Sequence, residues 1–483
     1  MADQTMKVDV IVIGAGAVGE NAAERTARGG LKTVLIEKAL VGGECSYWAC
    51  MPSKALLRPG KAVNAARSID GAKQAVTESL NVDAVLQRRD GFTSHWDDKS
   101  QVEWVHGAGI ELLRGTARLT GERMVELAAE DGTTTSIEAG HAVVLATGSV
   151  PTVPPIEGLD SVDFWGTREA TASQEIPQNL LVLGGGVSGV ELAQAYARLG
   201  AAVTLVARGD LLANYPEPAR RLVEAGLRED GIDVRLHTTT QKAAQDESGI
   251  HLTLIPTDND GGAAPSIVSG AKLLVSTGRH PALIGLGLEN VGVVPEDLET
   301  DSSGQVAGVE GGWLYAVGDA AGKALLTHQG KYEARAAGEA ISARAAGDLD
   351  GGRPEPWSRF AATADEAAVP SVVFTDPEVA MVGLTLEQAR EGGASARGVE
   401  LPIAVAGSAL HADGYAGWAQ LVVDEDRKVL LGATFAGPDV SELLHAATIA
   451  VVGQVPLDRL WHAVPAYPTI SEVWLRLLEE YGL

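Results

Sequence analysis

The chain has 483 residues, with 38 basic against 64 acidic side chains for a formal net charge of −26, 57 glycines and only 5% aromatic residues. That length supplies roughly two to four domains with ample core, and so acidic a balance argues against a nucleic-acid partner and an anionic membrane. The first apolar run, Val8 to Ile13, follows no basic segment and is too short to cross a bilayer, so the expected location is a reducing cytoplasm.

Val8 to Ile13 is a mostly β-branched run that reads as a buried parallel strand. Gly14-Ala-Gly16-Ala-Val-Gly19 follows, then a helical stretch from Glu20 to about Gly29 and a strand from Lys32 to Ile36 that ends in Glu37. This is the full context of a dinucleotide fingerprint. Gly14 permits the tight turn, Gly16 lets a pyrophosphate approach the backbone at the helix N-terminus, and Gly19 lets helix and strand pack. Glu37 can accept hydrogen bonds from a ribose diol.

Gly42 to Lys54 reads GGECSYWACMPSK and holds Cys45 and Cys50, the chain's two cysteines. Four intervening residues let the sulfurs meet across one helical turn. Closing so short a loop removes little unfolded-chain entropy, which suits a labile catalytic disulfide better than a structural staple. The alternative is two buried thiols or half of a metal site, but the chain has no third cysteine and no nearby His cluster, so no metal is expected.

Residues 60 to 110 read as helical and polar, with His95, Trp96 and Trp104 as packing or surface residues. Short strands follow from Gly107 to about Val144, with a turn at Asp131-Gly132, and an apolar strand closes on Ala146-Thr-Gly148 before a proline-marked linker. A second unit repeats the first: strand Leu180 to Leu183, turn Gly184-Gly-Gly186-Val-Ser-Gly189, helix Val190 to about Leu199, strand Val203 to Val206. That strand runs into Ala207-Arg208 where the first unit has an acid. An arginine there can hold a 2′-phosphate, which favours NADPH over NADH. A strand at Ala271 to Ser276 ends in Thr277-Gly278, and Leu314 to Val317 precedes Gly318-Asp319, a carboxylate expected to need a hydroxylated partner. Gly347 to Pro356 is a linker, and a third module with further strands and helices runs to Leu483.

The chain resembles the flavoprotein pyridine nucleotide-disulfide oxidoreductases, the family of dihydrolipoamide dehydrogenase, glutathione reductase and mercuric reductase, over essentially its whole length. The resemblance implies an α/β fold: two Rossmann-like domains for FAD and NAD(P)H, and a C-terminal α+β dimerisation domain. The expected division is 1–155 for the first part of the FAD domain, 156–282 for NAD(P)H, 283–350 completing the FAD domain, and 357–483 for the interface. It implies a homodimer with shared active sites and a small-molecule acceptor.

Residue by residue, Cys45 becomes the interchange thiol, Cys50 the thiol against the flavin, and Lys54 a cation by the flavin paired with Glu191. Gly14, Gly16, Gly19, Glu37, Lys54, Ala117, Gly148, Asp319 and Thr327 fall on the FAD side. Gly184, Gly186, Gly189, Arg208 and Gly278 fall on the NAD(P)H side. The family's C-terminal His-Pro-Thr is here Tyr467-Pro-Thr, while the following glutamate is kept as Glu472. Mercuric reductases also carry the tyrosine, but with a C-terminal cysteine pair that this chain lacks. The expected function is electron transfer from NAD(P)H through FAD to the Cys45–Cys50 disulfide, and on to a small disulfide or thiol-reactive acceptor. A quinone-type reductase working from reduced flavin and a dihydrolipoamide dehydrogenase-like component of a larger complex are the alternatives.

Overall fold

The computed structural model describes residues 5–257 and 264–483. The chain opens with β1 (Met6–Ile13), α1 (Ala17–Arg28) and β2 (Thr33–Glu37). The cysteine stretch forms α2 (Gly43–Tyr47) and the start of α3 (Cys50–Arg67); the helix breaks at Trp48 and Ala49, so the two cysteines do not share a single helical turn as the spacing alone suggested. Then come α4 (Val82–Phe92), α5 (Lys99–Gly107), β3 (Glu111–Arg114), β4 (Thr116–Gly121), β5 (Met124–Ala128), β6 (Thr134–Leu145) and β7 (Ser149–Pro151). Helix α6 (Thr167–Ala172) leads to β8 (Asn179–Leu183), α7 (Val187–Arg198), β9 (Ala202–Val206), α8 (Glu217–Glu229) and β10 (Asp233–Arg235). These are followed by β11 (Thr238–Asp246), β12 (Gly249–Pro256), β13 (Ser266–Gly270), β14 (Lys272–Val275), β15 (Arg279–Pro281), β16 (Leu314–Ala316) and α9 (Thr327–Ala346). The remainder is β17 (Pro370–Val373), β18 (Glu378–Gly383), α10 (Leu386–Glu391), β19 (Ala396–Pro402), α11 (Ala406–His411), β20 (Trp418–Asp424), β21 (Val429–Gly437), α12 (Leu444–Val452), α13 (Leu457–Leu460) and α14 (Glu472–Tyr481).

The chain forms two compact units. One holds the chain up to Met51 with Asp90–Val150 and Arg279–Glu366. Its sheet runs β3-β2-β1-β6-β5-β4, with β16 also on β6. β1 is parallel to β2 and β6, whereas β5 and β4 form an antiparallel extension. Val10, Ile11 and Val12 are completely buried because both faces of this sheet are covered. Alternate residues serve alternate faces: Val10 and Val12 pack with Ala22, Ala23, Ala334 and Ile341, whereas Ile11 and Ile13 pack with Leu119, Val125 and Leu314. Small residues let α1 and α9 touch closely. A Cβ on Gly330 would stand 2.7 Å from Val18 Cγ2, and one on Gly338 2.5 Å from Arg25 Cβ.

The other unit holds Pro52–Arg89, Pro151–Gly278 and Ala367–Leu483. It contains a parallel sheet β10-β9-β8-β14, an antiparallel sheet β11-β12-β13 and a five-stranded antiparallel sheet β17-β18-β21-β20-β19. One core joins Val190 and Tyr196 of α7 and Val223 and Leu227 of α8 to Val373, Val379 and Ala436. A second lies between Leu421 and Phe435 and the helical residues Ala447, Val451, Val473 and Leu477. The first core is crossed by a polar tie: Arg198 bonds Asp230 at 2.9 Å and Asp376 at 3.0 Å, and Gln194 bonds both the backbone of Asp376 and the Asp230 carboxylate. The two nucleotide-type sheets and the C-terminal α+β module are those the sequence leads one to expect.

Candidate active site

Gly42 and Gly43 attach the cysteine stretch to the first glycine turn. Gly42 donates its N–H to Ala15 O at 2.7 Å, and both glycines have positive φ, +110° and +58°. A Cβ on Gly43 would lie 2.8 Å from Gly16 Cα, so no larger residue lets α2 lie this close. Cys45 and Cys50 stand as thiols. The Cys45 thiol is pushed far up by its hydrogen bond to Cys50 and by burial, with Thr327 and Lys331 opposing. Cys50 Sγ is 3.2 Å from Thr327 Oγ1. Between the cysteines Tyr47 is buried, bonds Gln101 through its hydroxyl, and accepts from Trp96 Nε1.

The first turn can hold a dinucleotide. Gly14 has φ +101°, and a Cβ there would meet Ala146 O at 2.3 Å; on Gly19 it would meet Gly14 O at 1.8 Å. Gly16 is different: nothing stands closer than 4.0 Å to a Cβ built on it, and it caps α1 with no side chain, leaving the first-turn N–H groups available to a phosphate. Glu37 accepts from Ala15 N and Ala39 N, both at 2.7 Å, and each oxygen keeps acceptor capacity for a diol. Beside Gly148, Thr147 Oγ1 is buried with no hydrogen-bond partner among the described residues. Ala117 lies in the β4–β5 ladder opposite Leu127. Asp319 is only partly buried, and its hydroxyl partner within the chain is Ser149 at 2.6 Å, with Arg279 Nε at 3.3 Å. These residues fit FAD, the cofactor expected for such a fold.

The second turn repeats the first. A Cβ on Gly184 would stand 2.1 Å from Ser276 O and one on Gly189 2.1 Å from Gly184 O, while Gly186 is open. Gly278 has φ +115° and open space around it. Arg208 is exposed, its carbonyl held by Thr257 Oγ1 at 2.8 Å, and its guanidinium pairs with no carboxylate among the described residues. In the same unit Lys54 Nζ is 2.7 Å from Glu191 Oε2 and 4.9 Å from the Phe374 ring centroid. Glu191, 2% exposed, also accepts Phe374 N at 2.9 Å, so one carboxylate fixes both the cation and the backbone beneath the ring.

The C-terminal pair is less connected. Tyr467 is 76% exposed, and Glu472, buried at the start of α14, gives one oxygen to Arg476 at 2.7 Å while the other is buried without a partner among the described residues. No hydrogen bond joins Tyr467 to Glu472. Thr327 against Cys50, Phe374 against Lys54, and Ser149 and Arg279 on Asp319 are contacts that sequence reasoning did not find. No group of three His, Cys, Asp or Glu side chains suited to a metal ion occurs among the described residues, and none of their helices is long and apolar enough to cross a membrane.

Two glycine-turn cradles and a thiol pair define the class: an enzyme that couples nucleotide binding to thiol redox chemistry. The family described as pyridine nucleotide-disulphide oxidoreductase matches residues 8–343, and its dimerisation domain matches 369–477. The chain belongs to this family. It is 33% identical to a dihydrolipoyl dehydrogenase of Thermus scotoductus, over 96% of this chain and 95% of that one. It is 32% identical to a mercuric reductase of Streptomyces lividans, over 96% and 94%. In fold it is similar to LpdA of Mycobacterium tuberculosis, with a TM-score of 0.80 at 24% identity over 99% of this chain and 100% of that one. It is likewise similar to the flavoprotein disulfide reductase RclA of Escherichia coli, with a TM-score of 0.81 at 22% identity over 98% and 99%.

Proposed function

We propose that the protein uses FAD and NADPH to reduce a small disulfide or a thiol-reactive acceptor through the Cys45–Cys50 pair, as a cytoplasmic homodimer. The observation that carries this reading is the hydrogen-bonded thiol pair on an element pinned to the first glycine turn. Gly14, Gly16, Gly19, Glu37, Ala117, Gly148, Asp319 and Thr327 hold FAD within 1–155 and 283–350. Gly184, Gly186, Gly189, Gly278 and Arg208 hold the nucleotide within 156–282, the exposed Arg208 favouring a 2′-phosphate. The flavin, when bound, supplies the hydride acceptor and the two-electron relay to the disulfide. Cys50 is the sulfur assigned to the flavin side, and Cys45, hydrogen-bonded to it, is the thiol assigned to attack the acceptor. Lys54 and Glu191 offset each other's desolvation, and Phe374 packs over the cation. Tyr467, exposed in the module matched by the dimerisation domain, and Glu472 complete the neighbouring subunit's site.

A quinone-type reaction from reduced flavin is the second reading, favoured by an exposed tyrosine at the family's histidine position. The relatives named dihydrolipoyl dehydrogenase support a dihydrolipoamide acceptor in a larger complex, and the one named mercuric reductase a thiophilic metal ion, although this chain has only two cysteines. The experiment is an acceptor screen with NADPH and NADH on wild type and Cys45→Ser, using lipoamide, small disulfides, Hg(II) and quinones. Disulfide turnover lost in the variant supports the first reading; quinone turnover that survives, with no disulfide activity in wild type, replaces it with the second. A native mass above that of a dimer would favour the complex.

A further inference from the structure

The cysteine turn is gripped from one side by a segment that carries none of the reacting groups. Just before α5, Ser94, His95 and Trp96 all have positive φ, +49°, +53° and +58°. Three residues with side chains in succession in the left-handed region are disfavoured, and such backbone persists where its surroundings fix it. Here the turn carries Trp96 to the redox stretch, where its indole Nε1 donates to the Tyr47 carbonyl at 3.2 Å. Asp98, the residue before α5, accepts Val41 N at 2.8 Å and is itself held by Arg114 at 2.5 Å.

Gln101, in the first turn of α5, makes the closest approach. Its Oε1 accepts the Tyr47 hydroxyl at 3.0 Å, and its Nε2 donates to Ser46 Oγ at 3.2 Å. The same amide fills the space over Gly42, where a Cβ would stand 1.9 Å from Gln101 Oε1. Gly42 is therefore needed for this approach as well as for its left-handed φ. Cys45 stands on a turn held at Val41 and Gly42 before it and at Ser46 and Tyr47 after it. Tyr47 is 2% exposed, and burial, with Asp98 adding, pushes its phenol up to about 12, so its hydroxyl stays a donor near neutral pH.

This brace acts on the open pair more than on the closed one. In the disulfide the S–S bond itself limits where Cys45 can be. In the dithiol only contacts do, and every position the Cys45 sulfur gains away from Cys50 must be given up again on closure. In this chain the open pair is held together, with Cys45 hydrogen-bonded to Cys50.

We propose that Gln101 and Trp96 are positioning residues of the redox pair: they hold the Cys45 turn against α5, keep the two sulfurs together in the dithiol, and so make disulfide closure more favourable. The proposal rests on the pair cycling between dithiol and disulfide. In that cycle the two thiols give up two protons and two electrons and form one S–S bond. An acceptor RSSR takes both electrons and both protons, and its S–S bond breaks to give two RSH.

The test equilibrates flavin-loaded wild type, Gln101→Met, Trp96→Phe and Lys99→Met anaerobically with stepped ratios of reduced to oxidised lipoamide, quenches in acid, and counts free thiols by alkylation and intact mass. Lys99 is exposed on the same helix and outside the brace. Wild type and Lys99→Met should share one midpoint. Gln101→Met should need about tenfold more of the oxidised form to close its disulfide, a potential about 30 mV less reducing, and Trp96→Phe should move the same way. A Gln101→Met midpoint within about twofold of wild type, or moved the opposite way, overturns the proposal alone, as does a Lys99→Met midpoint moved as far. An unshifted Trp96→Phe beside a shifted Gln101→Met removes Trp96 from the brace. Wild type that keeps two free thiols even in excess diamide, a thiol oxidant, overturns the reading beneath the proposal. If Gln101→Met does not fold, Trp96→Phe decides by the same criterion.

Discussion

Replacing Glu333 by glutamine should make the protein more stable in alkali and leave it unchanged in acid. Glu333 lies on α9 and is 4% exposed; Oε2 accepts the Gly318 N–H at 2.8 Å, and Oε1 is buried with no partner among the described residues. Burial first, then the nearby Asp365, pushes its carboxyl from the ordinary 4.5 up to about 8, against the opposing Gly318 hydrogen bond. Across that window the unfolded chain has lost a proton that the folded chain keeps, so stability is full below pH 4.5, falls as pH rises, and levels off above 8. At about 1.4 kcal/mol per pH unit, the whole loss is roughly 3 to 6 kcal/mol. Glutamine keeps an oxygen for the Gly318 N–H and carries no charge, so Glu333→Gln should match wild type at pH 5 to within about 1 kcal/mol. The assay is the thermal midpoint of both proteins, cofactor-loaded, at each pH from 5 to 9. The midpoint gap should widen up to pH 8 and then stay level. A gap that is the same at every pH would refute the reasoning.

Other outcomes follow from the same geometry. Arg198→Met strands the Asp230 and Asp376 carboxylates and should cost about 3 kcal/mol or more of unfolding free energy, read by denaturant titration. Gly189→Ala places a methyl 2.1 Å from Gly184 O; it should abolish NADPH binding, measured by calorimetry, while the purified protein keeps its flavin absorbance. Arg208→Ala should raise KM for NADPH roughly tenfold or more and leave that for NADH nearly unchanged, the loss of one charge-assisted bond to a phosphate.

What the sequence made legible is mostly local. The glycine turns, the acid after β2 and the paired cysteines announce themselves because each depends on neighbours a few residues away, and the structure gives both turns the same close approaches. Lys54 and Glu191 are 137 residues apart, and only resemblance brought them together. Thr327 against Cys50, 277 residues apart, was invisible as a contact, although the residue itself was marked for another role. The two cysteines sit on separate helices, because Trp48 and Ala49 break the helix where the spacing suggested one turn.

The central claim is that electrons from the nucleotide arrive at Cys45 and Cys50. With just two cysteines in the chain, labelling followed by intact mass reads it directly. The air-oxidised protein, unfolded and treated with iodoacetamide, should take no label; after anaerobic NADPH it should take two. Two labels before any NADPH, or none after NADPH has bleached the flavin, would contradict the account.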